Sequence, residues 1–214
     1  MKRRQQSTIL QDHIHTYASI YVFVSILFLM GVLFGAFMVN NLSLVQKEDL
    51  FTYLTQFFGD MTEGNIASSQ ELFQQSFFHN NKFLGIMWLL GISIIGLPIL
   101  FILLFLKGVV VGFSVGFLVN QMKWNGFLLS FVSVLPQNLL IIPLFIFVTV
   151  MATSFSLMLI RTIFIKQRTS QPIGPWIVRY LGVLVLAVVV ITCSSGIEAY
   201  VSPYLMKIVL LTSP

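Results

Sequence analysis

Charge is what this sequence has least of. Asp, Glu, Lys and Arg make up 9% of its 214 residues, against roughly a quarter in an average soluble chain. Cysteine is nearly absent. Cys193 is the only one, so it forms no disulfide within the chain and implies no oxidising compartment. It sits in an apolar stretch far from any histidine and reads as filler rather than as a nucleophile.

Histidine is scarce too. His13 and His15 lie two apart near the N-terminus, His79 stands alone, and no cysteine or carboxylate completes a metal set with them. There is no GxSxG, no HExxH and no plausible Ser-His-Asp set. Glu48 and Asp49 are adjacent and diverge on a helix, so they do not pair for hydrolysis. No GxxxxGK[ST] occurs, and no GxGxxG follows a strand. Catalysis, a metal and an organic cofactor are all unexpected.

What the sequence does have is apolar mass. Hydrophobic residues make up 57%, with 21 Phe, and the mean hydropathy is +0.93. A soluble domain of this size exposes too much surface to hide that content. A soluble globule, a disordered tail and a disulfide scaffold are excluded, and runs of about 20 apolar residues point to an integral membrane protein. The net charge of +5 is then no nucleic-acid footprint; its distribution around the spans is what carries meaning.

Residues 1–16 are polar and open with Lys2, Arg3 and Arg4. Residues 17–40 form a first span, too long for a signal-peptide core and without a close cleavage site. A second span is expected over Phe83–Leu106, kinked by Pro98. Lys107 and Gly108 read as a very short break before a third span from Val109 to about Val119. The uncharged stretch 126–160 is too long for one span and too short for two. It reads as a half-helix or re-entrant arm, Phe127–Leu135, a polar break at Pro136, Gln137 and Asn138, and a full span from Leu139 to Ile160 containing Pro143. Backbone broken at that depth has to be buried or line a cavity. The last span is Ile177–Cys193, followed by a tail over 194–214.

The expected class is therefore all-α: a polytopic integral membrane protein with about five transmembrane helices, a re-entrant or broken helix, and an external amphipathic helical hairpin. With the N-terminus inside, Lys2, Arg3, Arg4, Lys107, Arg161, Lys166, Arg168 and Arg179 face the cytoplasm, eight positive charges against one acid, Asp12. Lys47, Lys82, Lys123 and Lys207 lie outside with the other six acids, so +7 inside and −2 outside sum to +5. This positive-inside bias puts the C-terminus outside.

The hairpin is expected over 41–82. Ser43 to Gln46 fits a capping box, Leu50, Leu54, Phe57 and Met61 follow at helical spacing, and Gly59-Asp60 marks a stop. A second box, Ser68 to Glu71, opens a helix bearing Leu72, Phe73, Phe77 and Phe78. Its aromatics, Phe51, Phe57, Phe58, Phe73, Phe77 and Phe78, either pack on their surroundings or dock an extracytoplasmic partner. The basic loop 161–176 reads as a topology determinant and anionic-lipid contact. Gly31 and Gly35 on the first span, and Gly108, Gly112 and Gly116 on the third, are four apart and suit close helix packing. They serve packing within the chain, self-association into a homodimer, or a partner's anchor.

The order of these features resembles the stage II sporulation protein M family across essentially the whole chain. The segments that carry the likeness are YVFVSILFLMGVLFGAFMVNNLS, QKEDLFTYLTQFF, LPQNLLIIP and GIEAYVSP. The family's Pro-His-Gly-x-x-Glu pattern stands here as Pro136, Gln137, Asn138 and Ile141, with the His, Gly and Glu replaced. Its Ile-Glu to Ser-Pro pattern is kept as Ile197, Glu198, Ser202 and Pro203. The resemblance implies a non-enzymatic anchor and scaffold in the mother-cell septal and engulfing membrane. Its implied partners are membrane-anchored peptidoglycan hydrolases resembling stage II sporulation proteins P and D. The competing readings are a channel or permease component built on the broken region and Glu198, and a membrane-embedded hydrolase, which the missing nucleophile and metal sets disfavour.

Overall fold

The computed structural model describes residues 2–63, 68–93, 95–164 and 173–212. Of the basic loop expected over 161–176, residues 165–172 lie outside them, and the flanking residues belong to helices. Among the described residues there are helices and turns but no strand.

The first helix, α1 (Lys2–Met38), leaves helical geometry at Tyr17, where the polar stretch gives way to the apolar one. A short 3₁₀ turn, Val39–Asn41, leads to α2 (Leu44–Glu63). The first capping box forms there: the Ser43 N–H donates to Gln46 Oε1 at 3.0 Å and the Gln46 N–H to Ser43 Oγ at 3.3 Å. The helix does not stop at Gly59-Asp60 but runs on to Glu63. The second box opens α3 (Ser69–Ile92), with the Ser68 N–H donating to Glu71 Oε2 at 2.9 Å and the Glu71 N–H to Ser68 Oγ at 3.3 Å.

From here the chain departs from the expected spans. Helix α3 does not close after Phe78 as the short arm of a hairpin; it continues to Ile92, while α2 lies against α7. The run Phe83–Leu106 is not one helix. Ser93 is extended and caps α3, and α4 (Gly96–Ser133) starts anew. Pro98 therefore sits in the first turn of α4, where its missing N–H has no partner to lose, and makes no kink. Nor is there a break at Lys107: α4 passes straight through it.

The reversal comes at Lys123, the one non-glycine residue with a positive φ among the described residues (φ 50°, ψ −120°). Side chains rarely adopt this conformation. The returning arm then packs so closely that a β-carbon on Gly126 would overlap the Leu118 carbonyl oxygen. Residues 124–133 descend as the expected arm. The break falls at Val134 rather than at Pro136–Asn138, since α5 (Leu135–Phe164) has Pro136 in its first turn. A proline cannot donate to the carbonyl four residues back, so it ends the preceding helix and begins the next. Pro143 lies inside α5.

The last segment is longer than expected. Helix α6 (Ile173–Gly196) runs through a π turn, Ile197–Val201, into α7 (Ser202–Thr212), so part of the presumed tail continues the span. Among the described residues, four segments are long and apolar enough to cross a bilayer: Tyr17–Asn41, Gly96–Ser133, Leu135–Ile160 and Gly174–Ile208.

Ring and backbone contacts fix how the helices run. Phe23 meets Phe101 edge-on at 5.3 Å, and Asn120 donates to Asn40 at 3.4 Å, so α1 and the rising part of α4 are parallel. Helices α3 and α5 share the opposite direction, with Phe83 against Phe145 near one end and Gly91 against Ala152 near the other. The core between them is built from Leu84, Met87, Leu100, Leu104, Ile141, Phe145, Val148 and Ile191, all nearly sealed.

Candidate functional site

A cavity of about 450 Å³ lies beneath α2. Phe57 is on its rim, α3 contributes Ser76 and Asn80, α4 Lys107, α5 Gln137 and Asn138, and the π turn and α7 Glu198, Ser202 and Pro203. The exposed Gln75 and His79 also line it, so it reaches the surface on the α2 side.

Its two charges define it. Lys107 stands 11 residues into α4, in the middle of a segment able to cross the bilayer. Its ammonium donates to Asn80 Oδ1 at 3.4 Å and lies over the Phe83 and Phe145 rings, 5.5 and 5.4 Å from their centroids. Such cation–ring contacts offset part of the cost of removing the charge from water. Asn80 in turn donates to the Ser76 carbonyl at 3.0 Å and to Ser76 Oγ at 3.3 Å. The Ser76 hydroxyl donates to Glu198 Oε2 and lies 3.2 Å from the Ser195 hydroxyl. With the Gln137 amide turned to satisfy both groups, its nitrogen donates to both Glu198 oxygens, 2.9 Å for Oε1. The Ser194 hydroxyl donates to the Gln137 carbonyl at 3.1 Å. Lys107 and Glu198 are thus linked through Asn80 and Ser76, not by direct contact.

The backbone explains this convergence. In the π turn the Ser202 N–H bonds to the Ile197 carbonyl, five residues back. One extra residue per turn re-aims the side chains, as π turns at functional sites commonly do. Here Glu198 and Ser202 both line the cavity. Ser202 is 2% exposed, and among the described residues its hydroxyl has no hydrogen-bond partner. The two motif stretches, Pro136–Asn138 and Ile197–Pro203, are far apart in sequence and meet at this cavity.

Two readings of the sequence are corrected here. Lys107 was expected in a cytoplasmic break and Glu198 in a tail beyond a span ending at Cys193; α4 is unbroken at Lys107, the last apolar segment continues past Glu198, and both residues line one cavity. Sequence reasoning also missed Ser76, Asn80, Ser194 and Ser195. The signals were present: Ser76 and Asn80 are one helical turn apart, and a lysine inside an unbroken apolar run marks function within a membrane.

The other candidates fall elsewhere. Gly31, Gly35, Gly108, Gly112 and Gly116 face one another along the contact of α1 with α4, inside the chain; a β-carbon on Gly112 would overlap the Val32 carbonyl oxygen. Of the aromatics, Phe51 (41%), Phe57 (46%) and Phe78 (67%) are exposed. Phe73 and Phe77 are half-buried and stacked, 5.8 Å between centroids. The side chain of Phe58 lies outside the described residues. Among the described residues no three His, Cys, Asp or Glu side chains converge as metal ligands would.

Comparison with known proteins agrees with the order of motifs. The family model described as stage II sporulation protein M matches residues 24–203, which include every cavity residue except Met206. No curated protein and no solved structure matches the chain.

Proposed function

The chain belongs to the stage II sporulation protein M family, and we propose on that footing that it is a non-enzymatic membrane scaffold. It holds membrane-anchored peptidoglycan hydrolases, resembling stage II sporulation proteins P and D, at the septal and engulfing membrane of the mother cell. The observation that carries this reading is the exposure of large aromatics on α2 and in the first half of α3. Phe51, Tyr53, Phe57 and Phe78 are all between 41% and 72% exposed. Aromatic side chains are favoured anchors at the centres of protein interfaces.

The orientation that suits this role has five crossings. In it α3 is the second crossing, the turn at Ser93–Ile95 is cytoplasmic, and α2 lies outside. With Lys107 removed from the loops, seven basic residues (Lys2, Arg3, Arg4, Arg161, Lys166, Arg168, Arg179) remain inside against Lys47, Lys82, Lys123 and Lys207 outside, still a positive-inside bias.

The test is co-purification from sporulating cells with Phe51→Glu, Phe57→Glu and Phe78→Glu. At least one variant should release a wall hydrolase while its own membrane level stays unchanged. Retention of the hydrolases by all three would sink the docking role. A second reading, a permease component, is favoured by the polar cavity with its two charges; solute flux in proteoliposomes would distinguish it.

A further inference from the structure

The cavity holds two opposite charges that do not neutralise each other by contact. Lys107 has three N–H donors and spends one on a long bond to Asn80. Glu198 takes its donors from Ser76 and Gln137, and a carboxylate has room for about four. Ser202, sealed to 2%, is among the residues that line the same cavity, and its hydroxyl has no hydrogen-bond partner among the described residues. A buried hydroxyl left without a bond costs stability, and two charges held for stability alone would be expected to touch or to be replaced by apolar packing. Donors are therefore left over at one pole, beside a separate negative pole.

We propose that this cavity is a binding site for a small dipolar ligand. Its carboxylate or phosphate oxygen is taken by Lys107 and Ser202, and its ammonium by Glu198. A ligand of no net charge suits a cavity whose own two charges cancel, because neither partner then buries an unbalanced charge. The volume of about 450 Å³ lies within the range of small-molecule sites. The same ligand chemistry occurs on a free amino acid, entering from the α2 side, and on an aminophosphate lipid headgroup, entering from the bilayer. The site goes beyond the scaffold reading and stands without it, since no exposed aromatic on α2 other than Phe57 at the rim takes part.

The test uses the full chain and has two arms. In detergent, alanine is compared with acetate and with ethylammonium by thermal shift and calorimetry. In nanodiscs, phosphatidylethanolamine is compared with phosphatidylglycerol by the lipid retained in native mass spectrometry. Preference for alanine over both single-charge fragments identifies a soluble ligand; preferential retention of phosphatidylethanolamine identifies the headgroup. Ser202→Ala should bind roughly tenfold more weakly, the loss of one hydrogen bond to a charged group, without lowering the melting temperature of the unliganded protein. Lys107→Gln should abolish binding. The proposal is overturned if neither arm shows a preference, or if Ser202→Ala and Lys107→Gln bind like the wild type. Wall-hydrolase co-purification does not bear on any of these outcomes.

Discussion

The Tyr180 hydroxyl donates to the Trp88 carbonyl oxygen at 2.8 Å, while the Trp88 indole N–H reaches back to the Tyr180 carbonyl oxygen at 3.4 Å. The two rings stack with centroids 5.2 Å apart, and Phe155 also stacks with Tyr180, at 4.6 Å. Three helices, α3, α5 and α6, are joined through this one residue, at the end of the bundle away from the polar cavity.

Tyr180→Phe keeps both stacks and removes one hydrogen bond. It should cost about 1 kcal/mol, in line with hydrogen bonds inside membrane proteins, and lower the melting temperature by about 2–4 °C. Gly91→Ala should cost more, because its β-carbon would meet the same hydroxyl and the Ala152 side chain together. Fluorescence-detected melting of the two purified variants checks the order; an unshifted Gly91→Ala would show that the helices separate freely there.

Gly112 packs under the Val32 carbonyl, whereas Val110 is 60% exposed on the same helix. Gly112→Leu should therefore push α1 away from α4 and destabilise the chain by about 3 kcal/mol, the upper end of what overfilled packing typically costs. Val110→Leu should be neutral. The comparison is the amount of folded protein in the membrane and its resistance to protease. Wild-type behaviour of Gly112→Leu would refute the close approach of these two helices.

Tyr53 and Ile95 are both well exposed, at 72% and 80%, and the five-crossing orientation places them on opposite sides. With Cys193 replaced by Ser, a cysteine at Tyr53 should react with an impermeant maleimide in intact cells and one at Ile95 should not. The reverse pattern would invert the topology, and labelling at both would remove α3 as a crossing.

A chain of hydrogen bonds through Asn80 and Ser76 joins Lys107 to Glu198. Lys107→Met and Glu198→Gln should each lower stability, and the double variant should lose less than the sum. A coupling of about 1 kcal/mol or more is expected for groups in one network. Strict additivity in a melting-based double-mutant cycle would mean that the two charges are independent.

Parts of this architecture were readable in the residues. Both capping boxes form where Ser43 and Ser68 announced them, because that signal is local and needs no tertiary partner. The polar cluster around Lys123 separated two apolar stretches, and the chain does reverse there. The turn at Ser93–Ile95 was hidden for a physical reason: hydropathy reports the surroundings of a residue, not the direction of the chain, and both limbs of this turn lie among apolar neighbours. Lys107 misled for the complementary reason. A charge in an apolar run looks like a membrane boundary until Asn80, Phe83, Phe145 and Glu198, contributed by three other elements, are seen to surround it.

Helices α1 and α4 are parallel neighbours with two other helices between them in the chain. A ribosome delivers α1 to the bilayer long before α4 exists. The groove at Gly31 and Gly35 must then lie open to lipid, or under the care of an insertion factor, until Gly108, Gly112 and Gly116 have been made. Assembly of this bundle is thus timed by its second long apolar helix rather than by its first, and a chain cut short before Gly116 would leave its leading helix without the surface that it was shaped to meet.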